Sequence, residues 1–100
     1  MARHRIRTHP GEVLREEYMK PLGLSANALA RELHVPPNRI TGIIAFEKPR
    51  SVTSDTALRL ARFFRTTPAF WLNLQLAYDL SVTEAAVGQA IDRDIQPRSA

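Results

Sequence analysis

The sequence predicts an all-α fold, and three observations support this class. Apolar residues recur with helical spacing, and no stretch alternates for long as a strand does. Prolines and glycines separate these periodic stretches by short connections. The stretch LSANALARELHVPPNRITGII, residues 24–44, is typical of two short helices around a tight turn, the second opened by a double proline. These two helices either read DNA or only pack in a small bundle.

The composition predicts one packed domain that does not enter a membrane. One hundred residues suffice for one domain with one core, and 44% of them are apolar. No apolar run approaches the roughly 18 residues that a membrane span requires. The basic start, MARHRIRTHPGE, has no apolar stretch behind it, so we expect no secretory signal. The chain has no cysteine, which excludes disulfides and fits a cytoplasmic protein.

The positive charge lies on the first two thirds of the chain. Residues 1–24 carry five basic and three acidic residues, and residues 25–70 carry seven basic and three acidic ones. Residues 71–100 carry two basic and four acidic residues. A polyanion is therefore expected to bind the first part of the chain, although many basic domains bind no nucleic acid.

Capping residues predict where the helices begin and end. The first helix begins at His9 and Pro10, because proline suits a first helical turn, and Gly23 ends it together with Pro21. Its inward side chains are Val13, Leu14 and Tyr18.

Later helices are capped by hydroxyl side chains. Ser25 caps the second helix, Thr53 the fourth and Thr67 the fifth. Their expected core side chains are Leu29, Ala30, Leu33, Ala57, Leu60, Ala61 and Phe64. A separate, weaker sixth helix is predicted over residues 82–91, followed by a frayed tail.

The double proline fixes the start of the third helix. A residue before proline is disfavoured in the α region, so Pro36 is predicted as the N-cap and Pro37 as the first helical residue. The turn is then confined to residues 34–36, which is the spacing of a helix-turn-helix. His34 occupies a position that often takes a positive φ. The third helix is predicted to run to about Phe46.

One face of the third helix has unusually small and polar side chains. Ile40, Ile43 and Ile44 cluster on the inner side, whereas the outer side presents Asn38, Arg39, Thr41, Gly42 and Ala45. Gly42 costs about 1 kcal/mol relative to alanine inside a helix, which is understandable if a DNA groove wall approaches closely. The alternative is an ordinary exposed face with a tolerated glycine.

The fifth helix carries two apolar stripes. One consists of Phe70, Trp71, Leu74, Ala77 and Tyr78, and the other, on nearly the opposite side, of Leu72, Leu76 and Leu80. One stripe can face the core, and the second needs another partner. That partner is either the sixth helix or a second copy of the chain.

No feature of the sequence predicts an enzyme, a metal site or a cofactor. His4, His9 and His34 lack the spacing of metal ligands. Glu16 and Glu17 are adjacent and point about 100° apart on a helix, so they cannot act as a facing acid–base pair. The chain has no glycine-rich phosphate loop and no nucleophile motif.

The residues taken together resemble a known family. LSANALARELHVPPNRITGII is similar to the helix-turn-helix of phage-repressor-like (XRE/Cro-C1) domains. HPGEVLREEYMKPLGLS, TSDTALRLARFF and TPAFWLNLQLAYDL resemble the HigA/VapI antitoxins of bacterial toxin–antitoxin modules. The resemblance covers residues 9–80.

This resemblance implies a five-helix DNA-binding domain that forms a homodimer. Such proteins bind a palindromic operator upstream of their own gene and neutralise a HigB-type toxin, an mRNA-cleaving ribonuclease. The chain would then consist of a basic arm (residues 1–8), the helix-turn-helix domain (9–81) and a C-terminal helix with a tail (82–100). Leu72, Leu76 and Leu80 become the candidate dimer interface.

The resemblance also assigns DNA contacts. Those near base edges are Pro37, Asn38, Arg39 and Thr41, and those near the phosphates are Ser25, Asn27, Lys48 and Arg50. An amide can bond adenine bidentately, arginine can bond guanine or a phosphate, and threonine can touch a thymine methyl. The loop AFEKPRS departs from the glycine-containing loop that is usual in the family.

Two other functions and one smaller assignment stay open. The chain could be a stand-alone transcriptional regulator without a toxin partner, or a protein-interaction module that does not bind DNA. Arg59, Arg62 and Arg65 most simply form the solvated face of the fourth helix, with toxin or phosphate contact as the alternative.

Overall fold

The computed structural model describes residues 5–99, and within them it contains five helices and no strand. We number them α1 (residues 10–22), α2 (Ala26–Leu33), α3 (Pro37–Ile43), α4 (Ser54–Phe64) and α5 (Pro68–Asp94). The predicted all-α, five-helix fold is confirmed. Of the predicted arm, residues 1–4 lie outside the described part of the chain, and residues 5–8 have no regular structure.

α1 begins and ends at the predicted residues. The His9 imidazole accepts a hydrogen bond from the Gly11 N–H at 2.8 Å, and Gly23, with a φ of 60°, ends the helix. Gly11 is required because a Cβ there would overlap the carbonyl oxygen of Ile43 at the end of α3. The glycine therefore lets the backbone of α1 pack directly on α3.

The middle of α1 is a π-helix. Its three parts are Pro10–Val13, the π-helical Leu14–Met19, and Lys20–Leu22. The Lys20 N–H bonds to the carbonyl of Arg15, five residues earlier. Pro21 gives a physical reason for the wider π-helical turn. A proline within an α-helix lacks an N–H and clashes with the carbonyl four residues earlier.

The core is formed where α1 to α4 pack around the first half of α5. Its largest fully buried side chains include Leu14, Leu29, Ile40, Ile43, Leu60 and Trp71. The indole Nε1 of Trp71 donates to the Thr66 hydroxyl at 2.8 Å, so this large side chain is buried without losing its hydrogen bond. Tyr18 packs edge-on against Phe64, with ring centroids 4.9 Å apart.

α3 is shorter than predicted. It ends at Ile43, with Ile44 as its C-cap, instead of reaching Phe46. The Arg15 guanidinium of α1 donates to the Ile44 carbonyl at 2.6 Å and lies 4.0 Å from the centre of the Phe46 ring. A side chain from another helix thus satisfies a terminal carbonyl of α3, and the chain can turn away there.

The prediction of a separate sixth helix was wrong. α5 runs without interruption from Pro68 to Asp94, and the predicted boundary after residue 81 lies inside it. Its 27 residues correspond to about 40 Å. Ser81 is the last buried residue, so residues 82–94 extend beyond the core.

Candidate nucleic-acid interface

The turn between α2 and α3 has the predicted geometry. His34 takes a positive φ of 59°, and the Val35 N–H bonds to the Ala30 carbonyl at 3.0 Å. This pattern closes the end of α2, since a left-handed residue after a helix lets the next N–H reach back. Pro36 is extended with a ψ of 145°, and Pro37 begins α3.

The register of α3 is also confirmed. Ile40 and Ile43 are 0% and 1% exposed, whereas Pro37, Asn38 and Thr41 lie on the solvent side. Residues 5–99 offer no hydrogen-bond partner to the side chains of Asn38 and Thr41. Both side chains are therefore free to bind an external group.

The start of α2 lies beside this face of α3. The Ser25 hydroxyl accepts a hydrogen bond from the Ala28 N–H at 3.1 Å, so it serves first as a helix cap. A shallow groove is lined by Asn27, Arg31, Val35 and Pro37. Arg31 was not predicted as a contact residue. Its position four residues after Asn27 on the same helix was the available signal.

Arg39 differs from its neighbours because it is already bound within the protein. Its Nη1 donates to the Asp55 carboxylate of α4 at 2.6 Å, and its side chain is 32% exposed. Asp55 also accepts a hydrogen bond from the Nε of Arg59 at 3.0 Å. Hydrogen bonds from Arg59 and then Arg39 lower the pKa of Asp55 below its ordinary value.

Arg59 has a structural contact that the sequence did not predict. Its Nη1 donates to the Leu33 carbonyl at 2.8 Å, at the C-terminal end of α2. The interpretation of Arg59 as part of a merely solvated face was therefore wrong. Arg62 and Arg65 are exposed, and Arg65 closes α4 with a φ of 59°.

The loop after α3 positions two exposed basic residues. The Arg50 N–H bonds to the Gly42 carbonyl at 2.8 Å, and Lys48 takes a positive φ of 48°. A Cβ on Gly42 would lie 2.8 Å from the Arg50 Cδ. The side chain of Arg50 occupies the space beside Gly42, and it would have to shift if residue 42 carried a Cβ.

The residues available for nucleic-acid contact form three exposed groups on α2, α3 and the loop that follows α3. They are the start of α3 (Pro37, Asn38, Thr41), the groove beside α2 (Asn27, Arg31) and the loop basic residues Lys48 and Arg50.

Within residues 5–99 no three His, Asp or Glu side chains gather as metal ligands do. No helix of this part of the chain has the length and apolar character needed to cross a membrane.

The second stripe of α5 is only partly covered. Leu72 is half-buried against the core, whereas Leu76 and Leu80 are 57% and 54% exposed. The stripe continues outward through Val87 and Ile91, both exposed. Because residues 82–94 continue the same helix, they cannot fold back to cover it.

Comparisons with known proteins agree with this geometry. Residues 16–71 match the helix-turn-helix family HTH_3. Virulence-associated protein I of Dichelobacter nodosus is 58% identical over 76 residues, which are 76% of this chain and 68% of that protein.

Solved structures extend the likeness to nearly the whole chain. A structure described as the Pseudomonas aeruginosa antitoxin HigA with higBA promoter is 39% identical with a TM-score of 0.87, covering 95% of this chain and 100% of that one. Antitoxin GraA in complex with its operator is 42% identical with a TM-score of 0.90, covering 100% of this chain and 99% of that one.

The fold and the exposed start of α3 define a helix-turn-helix protein of the phage-repressor type. The chain belongs to the helix-turn-helix family HTH_3, and its fold is similar to those of the antitoxins HigA and GraA. The resemblance seen in the sequence is confirmed.

Proposed function

We propose that the chain is an antitoxin and transcriptional autorepressor. As a homodimer it binds palindromic operator DNA, and it neutralises a HigB-type mRNA-cleaving toxin. The observation that carries the DNA-binding part is the exposed, unpaired polar face at the start of α3. Two similar proteins, HigA and GraA, are described with promoter or operator DNA.

The start of α3 enters the major groove in this proposal. Asn38 bonds the N6 and N7 atoms of an adenine, and Thr41 contacts a thymine methyl. Pro37 lies near the base edges, and Arg39 contacts a base in the orientation discussed below. The two prolines leave few amide donors at this helix start, so base reading there depends on side chains.

The remaining basic and polar residues position the protein on the backbone. Ser25, Asn27, Lys48 and Arg50 face the phosphates on either side of the groove. Arg31 joins this set because it shares the groove with Asn27. Such contacts release counterions and therefore make binding strongly salt-dependent.

Two copies of the chain are needed to span a palindromic operator. The exposed leucines of α5, Leu76 and Leu80, form the centre of the dimer interface in this proposal, with Leu72 at its inner edge. The continuation of the stripe to Val87 and Ile91 lengthens the contact.

Toxin binding is the part of the proposal that depends on the family alone. Antitoxins of this type are encoded beside a toxin gene, and a structure similar to this chain is described as the antitoxin HigA. No described surface of this chain carries a separate argument for the toxin contact.

A single experiment tests these parts together. Binding to DNA upstream of the gene is measured by gel shift over a series of salt concentrations, with and without the co-expressed neighbouring gene product. We expect a salt-dependent shift, a random duplex bound more weakly, and a supershifted or altered complex with the neighbour.

Each alternative predicts a different result. A stand-alone regulator shifts the upstream DNA but does not associate with the neighbouring protein. A protein-interaction module shifts neither the upstream DNA nor the random duplex at any salt concentration, and this outcome would contradict the proposal.

A further inference from the structure

Arg39 is the one predicted base-reading residue that the protein already holds in place. Its Nη1 lies 2.6 Å from the Oδ2 of Asp55, and two thirds of its side chain is covered. Arg39 stands next to the free Asn38 at the start of α3. The contact with Asp55 restricts the orientation of the Arg39 guanidinium, and about a third of the side chain stays open to solvent.

Asp55 is in turn fixed from a second side. The same Oδ2 accepts the Nε of Arg59 at 3.0 Å. Arg59 also donates to the Leu33 carbonyl at 2.8 Å, where α2 meets the turn. One carboxylate thus links the recognition helix α3 to α4 and, through Arg59, to the end of α2.

Stability alone does not account for this arrangement. Ion pairs between exposed side chains contribute little to folding, and the Asp55 side chain is 55% exposed. A held arginine has a different benefit. Its side chain loses less rotamer freedom when it meets a base, because part of that freedom was lost on folding.

The charge of Asp55 also favours binding of Arg39 to a base over binding to phosphates. A carboxylate close to Arg39 offsets the attraction of that arginine for phosphates, which is the sequence-independent part of binding. Asp55 accepts only one hydrogen bond from Arg39, so the Nη2 group of Arg39 and its second Nη1 proton stay available for a base edge. A fixed guanidinium therefore favours a base at one position over phosphates at many.

We propose that Asp55 is a specificity-determining positioning residue, which holds the Arg39 guanidinium in one orientation for an operator base and weakens its binding to random DNA. The inference rests on the proposed DNA binding. Asp55 itself touches no base and acts through Arg39.

The test compares affinities for operator and for random DNA of equal length at one salt concentration. The variants are Asp55→Asn, Arg39→Ala and the double variant. We expect Asp55→Asn to lower the operator-to-random affinity ratio by about tenfold, through weaker operator binding and slightly stronger random binding. Arg39→Ala should lower the ratio similarly, and the double variant no further, because both changes remove one unit.

A matched control removes a negative charge elsewhere. Glu47 is exposed in the loop after α3 and has no ion pair among residues 5–99. Glu47→Gln should change both affinities by the same factor and leave their ratio unchanged.

Arg39→Lys gives a second measurement should Asp55→Asn fold poorly. A lysine keeps the charge beside Asp55 but loses the planar fork that a fixed guanidinium presents. We expect it to lower the ratio as much as Arg39→Ala does.

Specific results would overturn the inference. It is contradicted if Asp55→Asn leaves the operator-to-random affinity ratio unchanged, or if the losses of the two single variants add in the double variant. It is also contradicted if Arg39→Lys keeps the wild-type ratio. If the wild-type protein itself shows no preference for the operator, the proposed function fails together with the inference. A wild-type preference that Asp55→Asn retains overturns the inference alone.

Discussion

Among single residues, His34 shows how one backbone angle shapes the candidate site. It takes a φ of 59° at the end of α2, where most helices that close in this way use glycine. A side chain in this conformation costs free energy because its Cβ approaches the following carbonyl. The exposed imidazole gives no visible compensation.

We therefore expect His34→Gly to raise the free energy of unfolding by about 1 kcal/mol, with part of the gain offset by the greater freedom of glycine in the unfolded chain. Urea denaturation followed by circular dichroism measures it. His34→Ala is the matched control, since it removes the imidazole but keeps the Cβ, and it should change stability little. Equal gains in both variants would refute the backbone explanation.

Asn38 represents the opposite kind of residue, since its exposed side chain makes no hydrogen bond within residues 5–99. Asn38→Ala should weaken operator binding by about 1–3 kcal/mol and random DNA binding hardly at all, because a lost bidentate amide contact matters only at its base. Fluorescence anisotropy on both duplexes measures the difference. Equal losses on the two duplexes would exclude base reading by Asn38.

Lys48→Ala gives the contrasting result. Lys48 is an exposed loop residue, and a phosphate contact carries no sequence information. We expect Lys48→Ala to lower the affinity for operator and for random DNA by the same factor. The slope of log affinity against log salt should become shallower by about 1.

At the scale of elements, α1 depends on a buried histidine. His9 is 7% exposed and caps α1 through its Nδ1, which must be unprotonated to accept the Gly11 N–H. Its ring meets Tyr78 edge-on at 4.8 Å, which ties the start of α1 to α5. Burial lowers the pKa of His9 below the ordinary 6.5, and the Asp79 carboxylate opposes this only in part.

This lowered pKa predicts how stability changes with pH. The unfolded chain takes up the His9 proton below about pH 6.5, whereas the folded chain resists it until its lower pKa is reached. The contribution of His9 is therefore fully present at neutral pH and is lost as the pH falls below about 6.5. Urea midpoints measured from about one pH unit above the ordinary value of 6.5 to about one unit below it test this.

His9→Asn is the matched control for the pH series. Asparagine is also a good N-cap, but it does not titrate. The variant should show a flatter decline in stability over the same pH range. A decline identical to that of the wild-type protein would show that another group is responsible.

The elements also show which parts of the fold were predictable. The double proline and the Ser25 cap act on neighbouring backbone, so the starts of α2 and α3 follow from local sequence. The length of α5 does not, because Ser81 and Thr83 weaken the helical signal just where the helix continues. The Ser81 hydroxyl instead bonds the Tyr78 carbonyl at 2.8 Å and accepts the Arg7 N–H at 2.9 Å.

The candidate site was predictable to a similar degree. Exposure of Asn38 and Thr41 follows from helical periodicity once Pro37 is placed. The pairing of Arg39 with Asp55 joins residues 16 positions apart on different helices, so no local pattern reports it. The role of Gly11 likewise depends on a backbone that approaches from α3.

On the scale of the whole molecule, α5 is the feature that suits assembly. The molecule measures 52 × 28 × 21 Å, and the part of α5 beyond Ser81 has no buried residue. Leu76, Leu80, Val87 and Ile91 lie along one side of this helix and are all exposed. A second copy that packs on this side would remove the stripe from water.

We expect the double variant Leu76→Asp/Leu80→Asp to be monomeric and to bind the palindromic operator on the order of 100-fold more weakly, because linked half-sites no longer reinforce each other. Light scattering gives the mass, and anisotropy gives the affinity. Leu58→Asp is the matched control, since Leu58 is 61% exposed on α4, outside the stripe. A double variant that stays dimeric would place the interface elsewhere.

The division of α3 into held and free side chains has a consequence for how such proteins diverge. Asn38 and Thr41 have no hydrogen-bond partner in residues 5–99, so they can change with little effect on their neighbours, whereas a change at Arg39 removes a partner of Asp55. Under the proposed function, gene duplicates acquire new operators most readily through the two free positions, because a change at Arg39 also affects Asp55. Relatives within one genome could in this way become insulated from one another while keeping the same scaffold.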